Sequence, residues 1–203
     1  MGRLLLAAVL WLGAAFAHAQ PSSTPVKSLD DAALIRALKA GGLVLYIRHA
    51  STDFSENDAA MTSYEDCASQ RNLTDQGRAE ARRIGAAIRK LRVRVDRVFA
   101  SPFCRTVETA MLVFGKAEKT NEARGGPLKS EDPKRYDGLR GLLSAAPPKG
   151  TNFAVSSHGN PFHAVAGPPY LTEGEIAVVR PRGGKGFEVI ARIRPADWER
   201  LAP

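Results

Sequence analysis

LVLYIRHAST, residues Leu43–Thr52, is the stretch from which the fold of this chain can be read. Leu43 to Arg48 is mostly apolar or β-branched, which predicts a strand buried on both faces of a parallel sheet. The Arg48-His49 pair ends the apolar run and so stands at the strand's carboxyl edge, where open α/β sheets build their ligand crevices. Alone, such a pair can be no more than a strand end meeting solvent. Two later stretches have the same form: Asp96–Ser101 (DRVFAS) leads to Pro102 and Arg105, and Asn152–Ser157 (NFAVSS) runs into His158-Gly159-Asn160-Pro161. Three strands that each deliver Arg or His past their ends predict one pocket sized and charged for a phosphate.

These residues fall into ordered motifs: RHAST (Arg48–Thr52), LTDQGRAEA (Leu73–Ala81), SPFCRTVETA (Ser101–Ala110) and SHGN (Ser157–Asn160). In that order and strand context they resemble the histidine phosphatase superfamily, the phosphoglycerate mutase-like fold, with Ala50 where that family usually has Gly. Strand and helix alternate along the chain, which predicts an α/β fold with a mainly parallel sheet covered on both faces, a single-domain three-layer α/β/α sandwich. The resemblance implies catalysis through a phosphohistidine with His49 as nucleophile, and no cofactor or metal. A neutral imidazole can attack phosphorus and split ester hydrolysis into two easier displacements. Arg48, Arg105 and His158 would hold the phosphoryl group, since guanidinium forks match phosphate oxygens and stay charged. Thr52 and Asn160 would add neutral donors or merely close their loops. The leaving alkoxide needs a proton, so a carboxyl group must be near. Many relatives carry that acid as a glutamate between the SP-x-x-R helix and the second histidine strand, where Glu122 (NEARGG) fits best. Glu173 (TEGE) is its rival at the pocket rim.

At 203 residues and 44% hydrophobic, the chain is long enough for one globular domain with a real core. Residues 1–19 read as a secretory signal: Arg3, an apolar run from Leu4 to Ala17, and small residues at Ala17 and Ala19 for cleavage after Ala19. The run is shorter than the ~20 residues needed to span a bilayer, so no stable membrane anchor is expected after cleavage. Residues 20–27 are a Pro/Ser/Thr-rich linker and residues 28–203 the domain, expected to be periplasmic or secreted. The formal net charge is +8. Arginines such as Arg78, Arg82, Arg83 and Arg89 are scattered through predicted helices rather than interleaved with aromatics, which reads as a solvated face and not as a nucleic-acid surface. Cys67 and Cys104, an even pair in an exported chain, predict a disulfide, and no Cys/His spacing suggests a metal. Such a bridge would tie the loop after the first histidine to the helix that carries Arg105.

The elements follow from pattern and punctuation. A first helix starts from a capping-box-like Ser28 with Asp31, carries Leu34, Ile35 and Leu38, and ends at Gly41-Gly42. Asp53 to Arg71 is polar and irregular, a loop expected to overhang the pocket and select substrate. Thr74 caps a helix to about Leu91. Pro102 opens a helix through Phe114, ended by Gly115. Pro133–Leu143 reads as a short amphipathic helix. A short helix follows Pro161, and strands near Glu175–Arg180 and Gly186–Arg194 form an edge hairpin turned at Gly183-Gly184.

The leading expectation is an exported, metal-independent phosphomonoester phosphatase acting on a small-molecule or glycan phosphate. A phosphomutase would need a second phosphate grip and sugar-phosphate pools normally found inside the cell. A non-catalytic phosphate-binding module would have kept the pocket and lost turnover, a reading that an absent acid would favour. A metal site built from His49, His158, His163 and a carboxylate competes on composition; the resemblance argues against it, because phosphohistidine chemistry needs no metal. Short connections leave no space for the cap insertions of phytase-like relatives. The Cys67 and Cys104 contexts and SPFCRT most resemble the small periplasmic group that includes the lipopolysaccharide core heptose phosphate phosphatase.

Overall fold

The computed structural model describes residues 29–127 and 129–203. The expected signal (1–19), the linker (20–27) and Ser28 lie outside the described residues. In chain order the elements are α1 (Asp31–Ala40), β1 (Val44–Arg48), α2 (Asp75–Lys90), β2 (Val95–Ala100), α3 (Cys104–Phe114), β3 (Glu118–Lys119), α4 (Asp137–Ser144), β4 (Asn152–Ser157), α5 (Gly159–Ala166), β5 (Ile176–Pro181), β6 (Phe187–Ile193) and α6 (Asp197–Leu201).

Val44, Leu45, Tyr46 and Ile47 of β1 are fully buried, as the unbroken apolar run required. Successive side chains on a strand point to opposite faces. Leu45 and Ile47 enter one apolar cluster with Leu34 and Leu38 of α1, Ile84 and Ile88 of α2, Val113 of α3 and Trp198 of α6. Val44 and Tyr46 enter another with Leu139 and Leu143 of α4 and Phe162 of α5. The sheet is thus covered on both faces, a single-domain α/β/α sandwich.

The six strands are ordered β3-β2-β4-β1-β5-β6. The pairs β1/β4, β2/β4 and β2/β3 are parallel, while β5 runs antiparallel to both β1 and β6. Register aligns Arg48 with Ser157 and Ala100 with Ser156. The carboxyl ends of three adjacent parallel strands therefore lie side by side, which is what brings their terminal residues to one place.

Several boundaries differ from the sequence-based expectation. The α1 cap is Asp30, whose carboxylate accepts from the Ala33 amide at 2.7 Å, rather than a box begun at Ser28. Helix α3 begins at Cys104 because Phe103, still extended, occupies the cap position. Gly115 closes that helix as expected, with φ 77° in the left-handed region where glycine is favoured. Helix α5 starts at Gly159, ahead of Pro161. In the terminal hairpin only β6 is an edge strand; β5 lies inside the sheet against β1. β3 and α6 were not expected, being too short to show a period.

Candidate active site

His49 follows β1 directly, with its amide donating to the Ser157 carbonyl at 2.9 Å. Its imidazole is 2% exposed, and Nδ1 lies 2.9 Å from the Ala50 carbonyl oxygen. A carbonyl can only accept, so Nδ1 carries the proton and Nε2 keeps its lone pair. Burial pulls the His49 pKa down to about 3; the charges of Arg105, Arg48 and Arg71 push the same way and the Ala50 carbonyl opposes them. The ring is therefore neutral across the ordinary pH range, the state a nitrogen nucleophile needs.

His158 follows β4 and meets His49 edge-on, with ring centroids 5.6 Å apart. Its Nε2 lies 2.8 Å from the Ser101 hydroxyl at the end of β2, and its carbonyl accepts from the buried Tyr46 hydroxyl at 2.7 Å. Burial first, then competition with His49 for a proton and the charges of the three arginines, lower its pKa well below the usual value.

These groups line a cavity of about 250 Å³ together with Arg48, Asp58, Arg71, Phe103, Arg105 and Asn160. Among the described residues, the buried Nε atoms of Arg48, Arg71 and Arg105 have no hydrogen-bond partner. Three guanidinium groups with unmatched buried donors, around a cavity of this size, suit a small polyanion. The remaining bonds position them. Arg48 Nη1 donates to the Leu171 carbonyl at 2.8 Å. Arg105, on the first turn of α3, donates from Nη1 and Nη2 to the two Asp58 oxygens at 3.0 and 3.1 Å.

The loop between β1 and α2 folds over this cavity as expected. Its ends are joined by the Thr52–Leu73 bridge, and the Asp53 amide donates to the Asn72 carbonyl at 3.0 Å. The Arg71 amide donates to Asp58 at 2.9 Å, and the Cys104 amide to the Gln70 side chain at 2.9 Å. Cys67 and Cys104 form the expected disulfide, with Cα atoms 5.7 Å apart. Behind the loop, α2 approaches so closely that a Cβ on Gly77 would lie 2.2 Å from the Ser51 carbonyl oxygen. The glycine of LTDQGRAEA is thus a packing requirement of the RHAST turn.

Of the residues singled out from sequence, Arg48, His49, Arg105, His158 and Asn160 come together around the cavity. Glu122 does not. The Ala123 carbonyl accepts from the Ser157 hydroxyl at 2.6 Å, which turns Gly125 and Gly126 toward the cavity. Glu122 is exposed, its carboxylate lying where a side chain at Gly138 of α4 would stand. Glu173 and Thr52 pair with each other behind the cavity. The Thr52 hydroxyl donates to Glu173 at 2.8 Å, and the same carboxylate lies 3.5 Å from Arg48 and 3.8 Å from His49 Nδ1. They brace the nucleophile's loop and do not line the cavity. Asp58, Arg71 and Tyr170 were not singled out as site residues; only the polarity of the loop that ends at Arg71 pointed toward the first two.

A family model, Histidine phosphatase superfamily (branch 1), matches residues 44–125. No curated protein matches. Among solved structures, the protein histidine phosphatase SixA complexed with tungstate superposes with TM-score 0.54 at 20% identity, covering 76% of this chain and 98% of that one. The phosphoserine phosphatase of Entamoeba histolytica, complexed with 3-phosphoglyceric acid, gives 0.51 at 14% identity, covering 74% and 95%. Bacillus stearothermophilus YhfR gives 0.50 at 18%, covering 73% and 95%. At such identities the superpositions carry the fold alone, and the family match over residues 44–125 is a likeness to the histidine phosphatase superfamily.

Proposed function

We propose that this chain, with the histidine phosphatase superfamily as its supported family, is an exported phosphomonoester phosphatase that works through a phosphohistidine on His49 and needs no metal. The observation that carries the reading is a neutral imidazole, its Nδ1 proton engaged by the Ala50 carbonyl, set in one cavity with three guanidinium groups whose buried Nε donors have no partner among the described residues. In the first displacement the Nε2 lone pair forms a bond to phosphorus while the ester P–O bond breaks. Arg48 and Arg105 bear the charge that develops on the phosphoryl oxygens, and Arg71 binds the phosphoryl group throughout. Water then attacks the phosphohistidine, the P–N bond breaks, and inorganic phosphate leaves.

The N-terminal signal pattern of residues 1–19 and the Cys67–Cys104 disulfide support a periplasmic or secreted location. Export and the likeness of SPFCRT to the periplasmic heptose phosphate phosphatase group favour a phosphosugar or glycan phosphate as substrate. Tyr170, half-exposed beside the Arg48 guanidinium at the cavity, gives such a ring an aromatic wall.

The test is an acid-quenched turnover of labelled substrate by the purified mature protein, followed by peptide mapping. An acid-labile, alkali-stable adduct is expected on the peptide that contains His49, and His49→Ala should lose both adduct and turnover. Normal turnover by that variant would overturn the mechanism. Running phosphosugars, aryl phosphates and phosphoproteins in one panel, with and without chelator, ranks the substrate classes.

A further inference from the structure

The phosphatase reading needs a proton donor for the leaving oxygen, and neither carboxylate expected from sequence reaches the cavity. One does. Asp58 lines it beside Arg48, His49, Arg71, Arg105 and His158, and among the described residues it is the only carboxylate that does. Its two oxygens take both terminal nitrogens of Arg105, at 3.0 and 3.1 Å. That bidentate fork is the geometry with which an arginine grips two phosphate oxygens. The same carboxylate also accepts from the Arg71 amide, so the loop holds it at the cavity by a backbone bond as well as by charge.

We propose that Asp58 is the general acid and base of this site, held at rest by Arg105 in the place of the substrate's phosphoryl group and set free when that group arrives. The inference rests on the phosphatase reading above. At rest the carboxyl is ionised: burial alone would raise its pKa, but the bonds from Arg105 and the Arg71 amide, with the charges of both arginines, outweigh burial and hold it below the usual carboxylate range. A phosphoryl dianion takes over Arg105 and brings two negative charges beside the freed carboxyl. Both changes favour its protonated form, so the carboxyl takes up a proton from bulk water as the substrate binds. In the first step His49 Nε2 bonds to phosphorus, the ester oxygen leaves with the electron pair of the P–O bond, and the Asp58 proton passes to that oxygen. In the second step Asp58 carboxylate takes a proton from the attacking water as the P–N bond breaks, which frees His49; when phosphate leaves and Arg105 retakes the carboxylate, that proton returns to bulk water. The half-exposed position of Asp58, 31% by side chain, leaves it room to move from arginine to leaving group.

This arrangement makes two demands that a merely structural ion pair does not. Turnover should need Asp58 most where the leaving group is a poor one, and phosphate should bind better without it. The experiment compares wild type with Asp58→Asn and Asp58→Ala on an alkyl and an aryl phosphate, and titrates each protein with inorganic phosphate by calorimetry. Expected are a loss of about 10²–10³-fold in kcat on the alkyl ester against less than about tenfold on the aryl ester. Inorganic phosphate should bind about tenfold tighter to both variants, because the resting competitor for Arg105 is gone. With an active wild type, equal slowing on both esters, or phosphate binding that is unchanged or weaker in both variants, overturns the role of Asp58 and leaves the phosphatase reading standing. A wild type that hydrolyses neither ester overturns that reading, and the acid role with it.

Discussion

His49 and Arg71 show how position sets what a single side chain can do here. The imidazole is buried, neutral and oriented through one nitrogen, so its reactivity depends on the Ala50 carbonyl more than on any acidic partner. Arg71 reaches the same cavity from the loop, with its guanidinium over the exposed Phe54 ring at 4.8 Å and its buried Nε unmatched among the described residues. It is a third cation where the motifs supply two. On the proposed phosphatase reading it would grip the phosphoryl group in the bound state and the transition state alike, so its loss should appear in binding. Arg71→Ala is expected to raise KM for a phosphate ester roughly 10- to 100-fold, the worth of one charge-assisted hydrogen bond, with little change in kcat. Steady-state kinetics decide this, and a variant with an unaltered KM would remove Arg71 from the site.

At the scale of elements, the candidate active site is a strand edge closed by one loop, and the disulfide joins that loop to α3. Cys104 adjoins Arg105, so the bridge ties the loop that carries Asp58 and Arg71 to the helix turn that presents the Arg105 guanidinium. Cys67 and Cys104 are 37 residues apart in sequence. In the chain-entropy model, closing a loop of that length stabilises the fold by roughly 3–4 kcal/mol. A Cys67→Ser/Cys104→Ser double variant should therefore melt roughly 10 °C lower in a thermal scan. The strands are held by other contacts, so KM should rise under reducing conditions well below the melting temperature. If KM and melting temperature are both indifferent to reductant, the bridge has no part in holding the loop.

For the whole molecule, the buried neutral histidines link activity to acid stability. The folded pKa of His49, about 3, lies below the roughly 6.5 of an unfolded histidine. Above that unfolded value neither state holds the proton; between the two values only the unfolded state does, so stability is lost as pH falls through that window. His158, lowered for the same first reason of burial, acts in the same direction. The melting temperature should drop steadily from pH 7 to pH 4, and less steeply in His49→Gln, which has no group to titrate; parallel profiles would contradict the burial account. Much of this molecule was legible from the chain alone. The apolar run of β1, the repeated strand-then-cation form and the motif order located Arg48, His49, Arg105 and His158, because residues at the ends of adjacent parallel strands are placed by backbone register, a local and periodic property. The disulfide followed from the even count and the expected compartment. The carboxylate that lines the cavity did not follow. Glu122 faces α4, Glu173 backs the nucleophile's loop, and Asp58 enters the cavity, because a loop side chain is aimed by distant partners: the Ser157 hydroxyl on Ala123, Thr52 on Glu173, Arg105 on Asp58. No spacing in the sequence encodes those pairings; they exist only once the sheet has brought its strand ends together.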